Sequence, residues 1–104
     1  MNAKIEKAIA KKKFEPLKKM AEGRDESLKA EAIQAMGQVP GEESFNYLTM
    51  ALRNTSVNIR AAAAAGLGAL KNPKAYAFLD HRMQQETDDG VREKIQKAMV
   101  LTRE

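Results

Sequence analysis

Leu28-Lys29-Ala30-Glu31-Ala32-Ile33-Gln34-Ala35-Met36-Gly37 returns 31 residues on as Ile59-Arg60-Ala61-Ala62-Ala63-Ala64-Ala65-Gly66-Leu67-Gly68, and 32 residues later as Val91-Arg92-Glu93-Lys94-Ile95-Gln96-Lys97-Ala98-Met99-Val100. A period of this length marks helical units stacked in a row. One such unit cannot bury its apolar face alone and must lean on its neighbours. The period therefore predicts an all-α fold, an α-solenoid (alpha-alpha superhelix) of about three helix pairs.

The repeat extends upstream of these strips. Leu17, Leu48 and Leu79 fall at intervals of 31, as do Phe14 and Phe45. Each unit thus has a first (A) helix with apolar residues at helical spacing: Phe14, Leu17, Met20 and Ala21; Phe45, Leu48, Ala51 and Leu52; Tyr76, Leu79 and Met83. The second (B) helix of each unit repeats the spacing with Leu28, Ala32, Ala35, Met36 and Val39; Ile59, Ala63, Gly66, Leu67 and Leu70; Val91, Ile95, Ala98 and Met99. Asp25, Ser56 and Asp88 each precede the first apolar B residue by three, where a short side-chain oxygen can accept from exposed backbone N–H groups. Val39-Pro40-Gly41 and Lys71-Asn72-Pro73 separate the units, since proline keeps its predecessor out of helical geometry and glycine or asparagine takes a left-handed turn. We expect one domain over residues 1–104: a leading basic helix at 1–12, then pairs at 13–40, 41–72 and 73–104.

The 104 residues carry a formal charge of +4 and no cysteine, which excludes disulfides and thiolate chemistry. No apolar run reaches the roughly 18 residues of a membrane span, so a soluble cytoplasmic protein is expected. The charge is uneven: residues 1–24 hold eight Lys and Arg against Glu6, Glu15 and Glu22. Ile5, Ala8 and Ile9 form a short stripe there, surrounded by Lys4, Lys7, Lys11, Lys12 and Lys13. These lysines read either as a footprint for nucleic acid, an acidic partner or an anionic membrane surface, or as the solvated face of a capping helix. No aromatic residue interleaves with them as a base-stacking surface requires.

The pattern resembles HEAT-like repeats over roughly residues 12–104, in particular the short variety named after phycobilisome lyase subunits. Phe14-Glu15-Pro16-Leu17 is similar to that family's A-helix signature. Ile59-Arg60 with the alanine run to Leu67-Gly68, and Val91-Arg92 with Ile95 and Ala98-Met99, are similar to its B-helix signature. The chain departs from the pattern at Leu28-Lys29, where a β-branched residue and arginine are usual, at Asp80-His81, and at Val100, which stands where glycine is expected. The resemblance implies a protein-interaction or scaffold module without catalytic function, whose partners dock on the B-helix surface. An accessory role in bilin attachment follows only from the family's name and ranks last.

No catalytic constellation is legible. His81 has no cysteine near it, and Asp80 and Arg82 cannot share its helix face. Asp88-Asp89 and Glu42-Glu43 belong at helix starts. Neither a phosphate-cradling glycine loop nor a serine elbow occurs. We expect no enzyme activity, no cofactor and no metal. The outward B positions are the candidate partner-binding residues: Glu31, Gln34 and Gln38; Arg60, Ala62 and Ala65; Arg92, Lys94 and Lys97. The alanines either smooth a docking surface or only permit helix packing, and Arg60 either meets a partner or pairs within the chain. Nucleic-acid binding through the lysines of residues 4–19 is the alternative. Val100 and Leu101 leave an apolar end, from which self-association is a further expectation.

Overall fold

The structure is a computed structural model and describes residues 2–103. Seven α-helices account for nearly all of it: α1 (Ala3–Ala10), α2 (Phe14–Ala21), α3 (Glu26–Ala35), α4 (Glu42–Ala51), α5 (Val57–Leu70), α6 (Ala75–Gln85) and α7 (Asp89–Thr102), with a 3₁₀ turn, Met36–Gln38, extending α3. No strand occurs among the described residues.

Local chemistry starts the helices where the repeat predicts. Asp25, Ser56 and Asp88 are the N-caps of α3, α5 and α7, and their side chains accept from the N–H groups of Leu28 at 3.1 Å, Ile59 at 3.3 Å and Val91 at 3.0 Å. Asn2 caps α1 in the same manner, accepting from Lys4 N–H at 2.8 Å. Pro16 sits in the first turn of α2, where its missing N–H has no partner to lose. One turn differs from expectation. The left-handed residue that ends α5 is Lys71, with φ of 55°, and Asn72 instead accepts from Lys74 N–H through its side chain at 3.0 Å. That bond turns the chain into Pro73 and leaves the left-handed position to the residue before it.

Packing follows the repeat. The pairs α2–α3, α4–α5 and α6–α7 each close on themselves, and α5 lies between α3 and α7. Leu17, Leu48 and Leu79 are each fully buried, so the same repeat position meets the same kind of interior three times. The shortest dimension, 19 Å, is about two helix diameters, as expected for one layer of A helices on one layer of B helices.

The two layers are held by different chemistry. In the B layer, small residues bring backbones together: Gly37 abuts Gly66 between α3's end and α5, and Gly68 abuts Ala98 between α5 and α7. These contacts are the same pair of repeat positions one unit apart. In the A layer, aromatic rings meet edge to face, Phe14 with Tyr47 at 6.0 Å and Phe45 with Phe78 at 5.8 Å, again one unit apart. Aromatic contacts thus link successive A helices, and glycine and alanine contacts link successive B helices.

The inner B helices accordingly bury more than one stripe. Ile33 and Gly37 on the first unit, and Ala64 and Gly68 on the second, are buried against the next unit. The equivalent residues of α7, Gln96 and Val100, are exposed.

Candidate functional site

A polar node joins the second and third units. Arg60 on α5 reaches the loop before α7 and grips Glu86 with two bonds, Nε to Oε1 at 2.8 Å and Nη2 to Oε2 at 3.0 Å. Its Nη1 donates to the carbonyls of Asn54 at 3.0 Å and Thr55 at 3.2 Å. Arg82 adds a contact to Glu86 Oε1 at 3.2 Å, and Asp88 N–H donates to Oε2 at 3.0 Å. The Glu86 side chain has no exposed surface. Burial pushes its carboxyl up, but the hydrogen bonds from Arg60 and Asp88 N–H and the charges of Arg60 and Arg82 outweigh that and lower it to about 2. The same partner holds the Arg60 guanidinium above its ordinary range, its hydrogen bond to Glu86 prevailing over desolvation. Arg92 closes the loop from the other side, its Nη1 donating to the carbonyls of Met83 and Glu86, each at 2.9 Å.

Both arginines make hydrogen bonds within the chain. Arg60 engages Glu86 and the carbonyls of Asn54 and Thr55 with all three guanidinium nitrogens, whereas Arg92 bonds the chain through Nη1 alone. Glu86 was not singled out from the sequence, although its place two residues before the Asp88 cap matches that of Asn54, two before the Ser56 cap. Asn54 Oδ1 likewise accepts from Ser56 N–H, at 2.8 Å.

The remaining B-face residues fall into rows across α3, α5 and α7. Gln34, Ala65 and Lys97 occupy one row, and Gln38, Ala69 and Leu101 another; all are exposed except Ala65, which is half-buried. Glu31 and Lys94 are exposed, but Ala62 between them in the repeat is buried, at 5 % exposure, contrary to its expected outward place. Its methyl group is too short to clear the flanking helices, whereas a glutamate or lysine at the same position extends past them. The middle helix is thus an alanine floor with longer side chains on either side. A hollow of about 300 Å³ opens on α3 and its 3₁₀ extension, lined by Glu31, Gln34, Ala35 and Gln38. Lys97 also pairs with Glu93 at 3.5 Å, with both side chains about two-thirds exposed. Such a pair contributes little to stability, so a ligand can displace it.

Elsewhere the chemistry is sparse. His81 is exposed and touches Gln85 Nε2 at 3.4 Å. Among the described residues no group of three His, Asp or Glu side chains is placed to hold a metal ion, and no helix is long and apolar enough to cross a membrane.

Three helical hairpins joined by one recurring set of contacts define a repeat family, and the family profile described as HEAT repeats matches residues 14–100. The chain belongs to the HEAT-repeat family. No curated protein and no solved structure matches it. The match is to HEAT repeats as a whole, so the phycobilisome lyase variety stays a resemblance carried by the residues quoted for it. HEAT repeats generally serve protein–protein interaction or scaffolding and are typically non-catalytic. The match begins at Phe14, the first residue of α2, so α1 lies outside the matched residues.

Proposed function

We propose that the chain is a non-catalytic, cytoplasmic interaction module that holds a protein partner on the B-helix face. The alanine floor along α5, flanked by Glu31, Gln34 and Gln38 on one side and Lys94 and Lys97 on the other, carries this reading. A partner helix or extended segment lying there buries its apolar side chains on Ala65 and Ala69 and meets polar groups at both margins. The side-by-side order of α3, α5 and α7 favours a ligand that runs across the row of helices. Arg60 and Arg92 act through the loops they hold, and Ala62 acts through packing.

Comparative affinity capture tests the reading, using the wild-type chain and Ala65→Arg, whose long cationic side chain fills the floor from a half-buried position. Proteins retained by the wild type and lost from Ala65→Arg support it. A partner held equally by both chains, with both equally folded by circular dichroism, overturns it.

A further inference from the structure

A second surface lies outside the HEAT-repeat match. Helix α1 turns into α2 through a tight corner in which Lys12 is left-handed, at φ of 53°, with Lys12 N–H bonded to Ile9 O at 3.0 Å and Lys13 N–H to Ala8 O at 2.9 Å. These two bonds are the paired closure that fixes how a helix exits, so the angle between α1 and α2 is set by backbone geometry. Ile5 and Leu17, both fully buried, tie the two helices to the core. Between them lies a groove of about 440 Å³ walled by Lys4, Lys7, Lys11, Lys13 and Lys19 over a floor of Ala8, Pro16 and Met20.

The wall is built by spacing. Lys4 and Lys7 on α1 line up with Lys11 at its C-cap, and Lys19 stands one turn beyond Pro16 on α2. Among the described residues none of these five ammonium groups lies within ion-pair distance of a carboxylate. Five like charges around one hollow repel one another, and an anionic ligand removes that repulsion on binding. The floor selects among anions. It is apolar, and Met20 is flexible enough to adapt to a side chain laid on it. Neither an aromatic ring nor an arginine lines the groove, so it has no stacking surface for bases and no bidentate donor for phosphate.

We propose that this groove is a second binding site, for an acidic protein segment that carries apolar side chains between its carboxylates. The carboxylates meet the lysine wall and an apolar side chain occupies the floor. The site is independent of the B-helix face, and a partner engaged at both would gain from the linked effective concentration.

Fluorescence anisotropy of the full chain tests it, with a labelled amphipathic peptide of glutamate and leucine as the probe. Comparison ligands are the same peptide with serine for leucine, a single-stranded oligothymidine, and vesicles containing phosphatidylserine. The glutamate–leucine peptide should bind at low salt, weaken steeply as salt rises, and bind about tenfold or more weakly to Lys7→Glu/Lys11→Glu. Both positions are exposed, so the variant should keep the wild-type helical circular dichroism. Lys94→Glu/Lys97→Glu should bind the peptide as the wild type does, which separates this site from the B-helix face. No binding at low salt overturns the proposal, as does equal binding by the Lys7/Lys11 variant. Equal binding of the leucine-free peptide removes the role of the floor, and tighter binding of oligothymidine or vesicles assigns the lysines to a different class of ligand.

Discussion

Gly37 lies with its α-carbon against the backbone of Gly66, so close that a methyl group on Gly37 would stand 2.7 Å from the Gly66 Cα and 2.9 Å from its carbonyl carbon. Both neighbours are main chain, which cannot rotate away. Gly37→Ala should therefore separate α3 from α5 and lower stability by about 2–3 kcal/mol. Exposed Gly23, where the nearest atom to an added methyl is Met20 O at 3.4 Å, serves as the comparison, and Gly23→Ala should stay within about 0.5 kcal/mol of wild type. Urea denaturation of both variants decides it; equal losses would show that the Gly37 contact is not what limits substitution.

The buried Arg60–Glu86 pair makes stability depend on acid. The Glu86 carboxyl titrates at about 2 in the folded chain against an ordinary 4.5, so its contribution is complete above about pH 4.5 and is lost as pH falls toward 2. The shift corresponds to about 3 kcal/mol. Glu86→Gln should be markedly less stable than wild type at pH 7, and the gap should narrow as the pH is lowered through that window. A gap that stays constant with pH would show that the loss comes from packing alone.

Truncating Arg60 tests the same node from the other side. Arg60→Ala leaves Glu86 buried with Arg82 as its remaining cation and also frees the carbonyls of Asn54 and Thr55. A loss of about 3 kcal/mol in thermal or urea unfolding is expected. Arg60→Lys should recover only part of it, because an ammonium cannot make the paired bonds to both carboxylate oxygens.

The B-helix caps Asp25 and Asp88 should differ in value although they occupy equivalent positions. Asp25 is exposed, whereas Asp88 is half-buried and caps the part-buried Val91 N–H. Asp25→Ala should cost about 0.5–1 kcal/mol and Asp88→Ala about 1–2 kcal/mol. Thermal unfolding of the two variants in one buffer ranks them, and the reverse order would contradict the role given to burial.

Lys71 ends α5 in the left-handed region, at φ of 55°, where a side chain is strained and glycine is not. Lys71→Gly should raise stability by up to about 1 kcal/mol. A loss in urea unfolding would mean that the lysine side chain contributes more than its backbone costs.

Much of the architecture was legible because its causes are local. A cap acts over three residues, a helical stripe over three or four, and a repeat shows wherever equivalent positions carry equivalent residues. Leu17, Leu48 and Leu79 could be matched by counting. The aromatic contacts were half legible: Phe14 and Phe45 stand out at an interval of 31, and their partners Tyr47 and Phe78 share that interval without sharing a residue type.

The candidate face was less legible, because position on a helix does not settle what lies beside it. Glu31, Ala62 and Lys94 hold one repeat position, yet only the alanine is buried. Arg60 meets its carboxylate 26 residues away, a distance at which no spacing rule operates. The sequence by itself determined the helices, the starts of the B helices and the order in which they stack, since these depend on hydrogen bonds and apolar spacing within a few residues. Only the tertiary structure decided that Arg60 is spent internally, that Gly37 must remain glycine and that five lysines surround one groove, because each depends on groups brought together across a turn or between units.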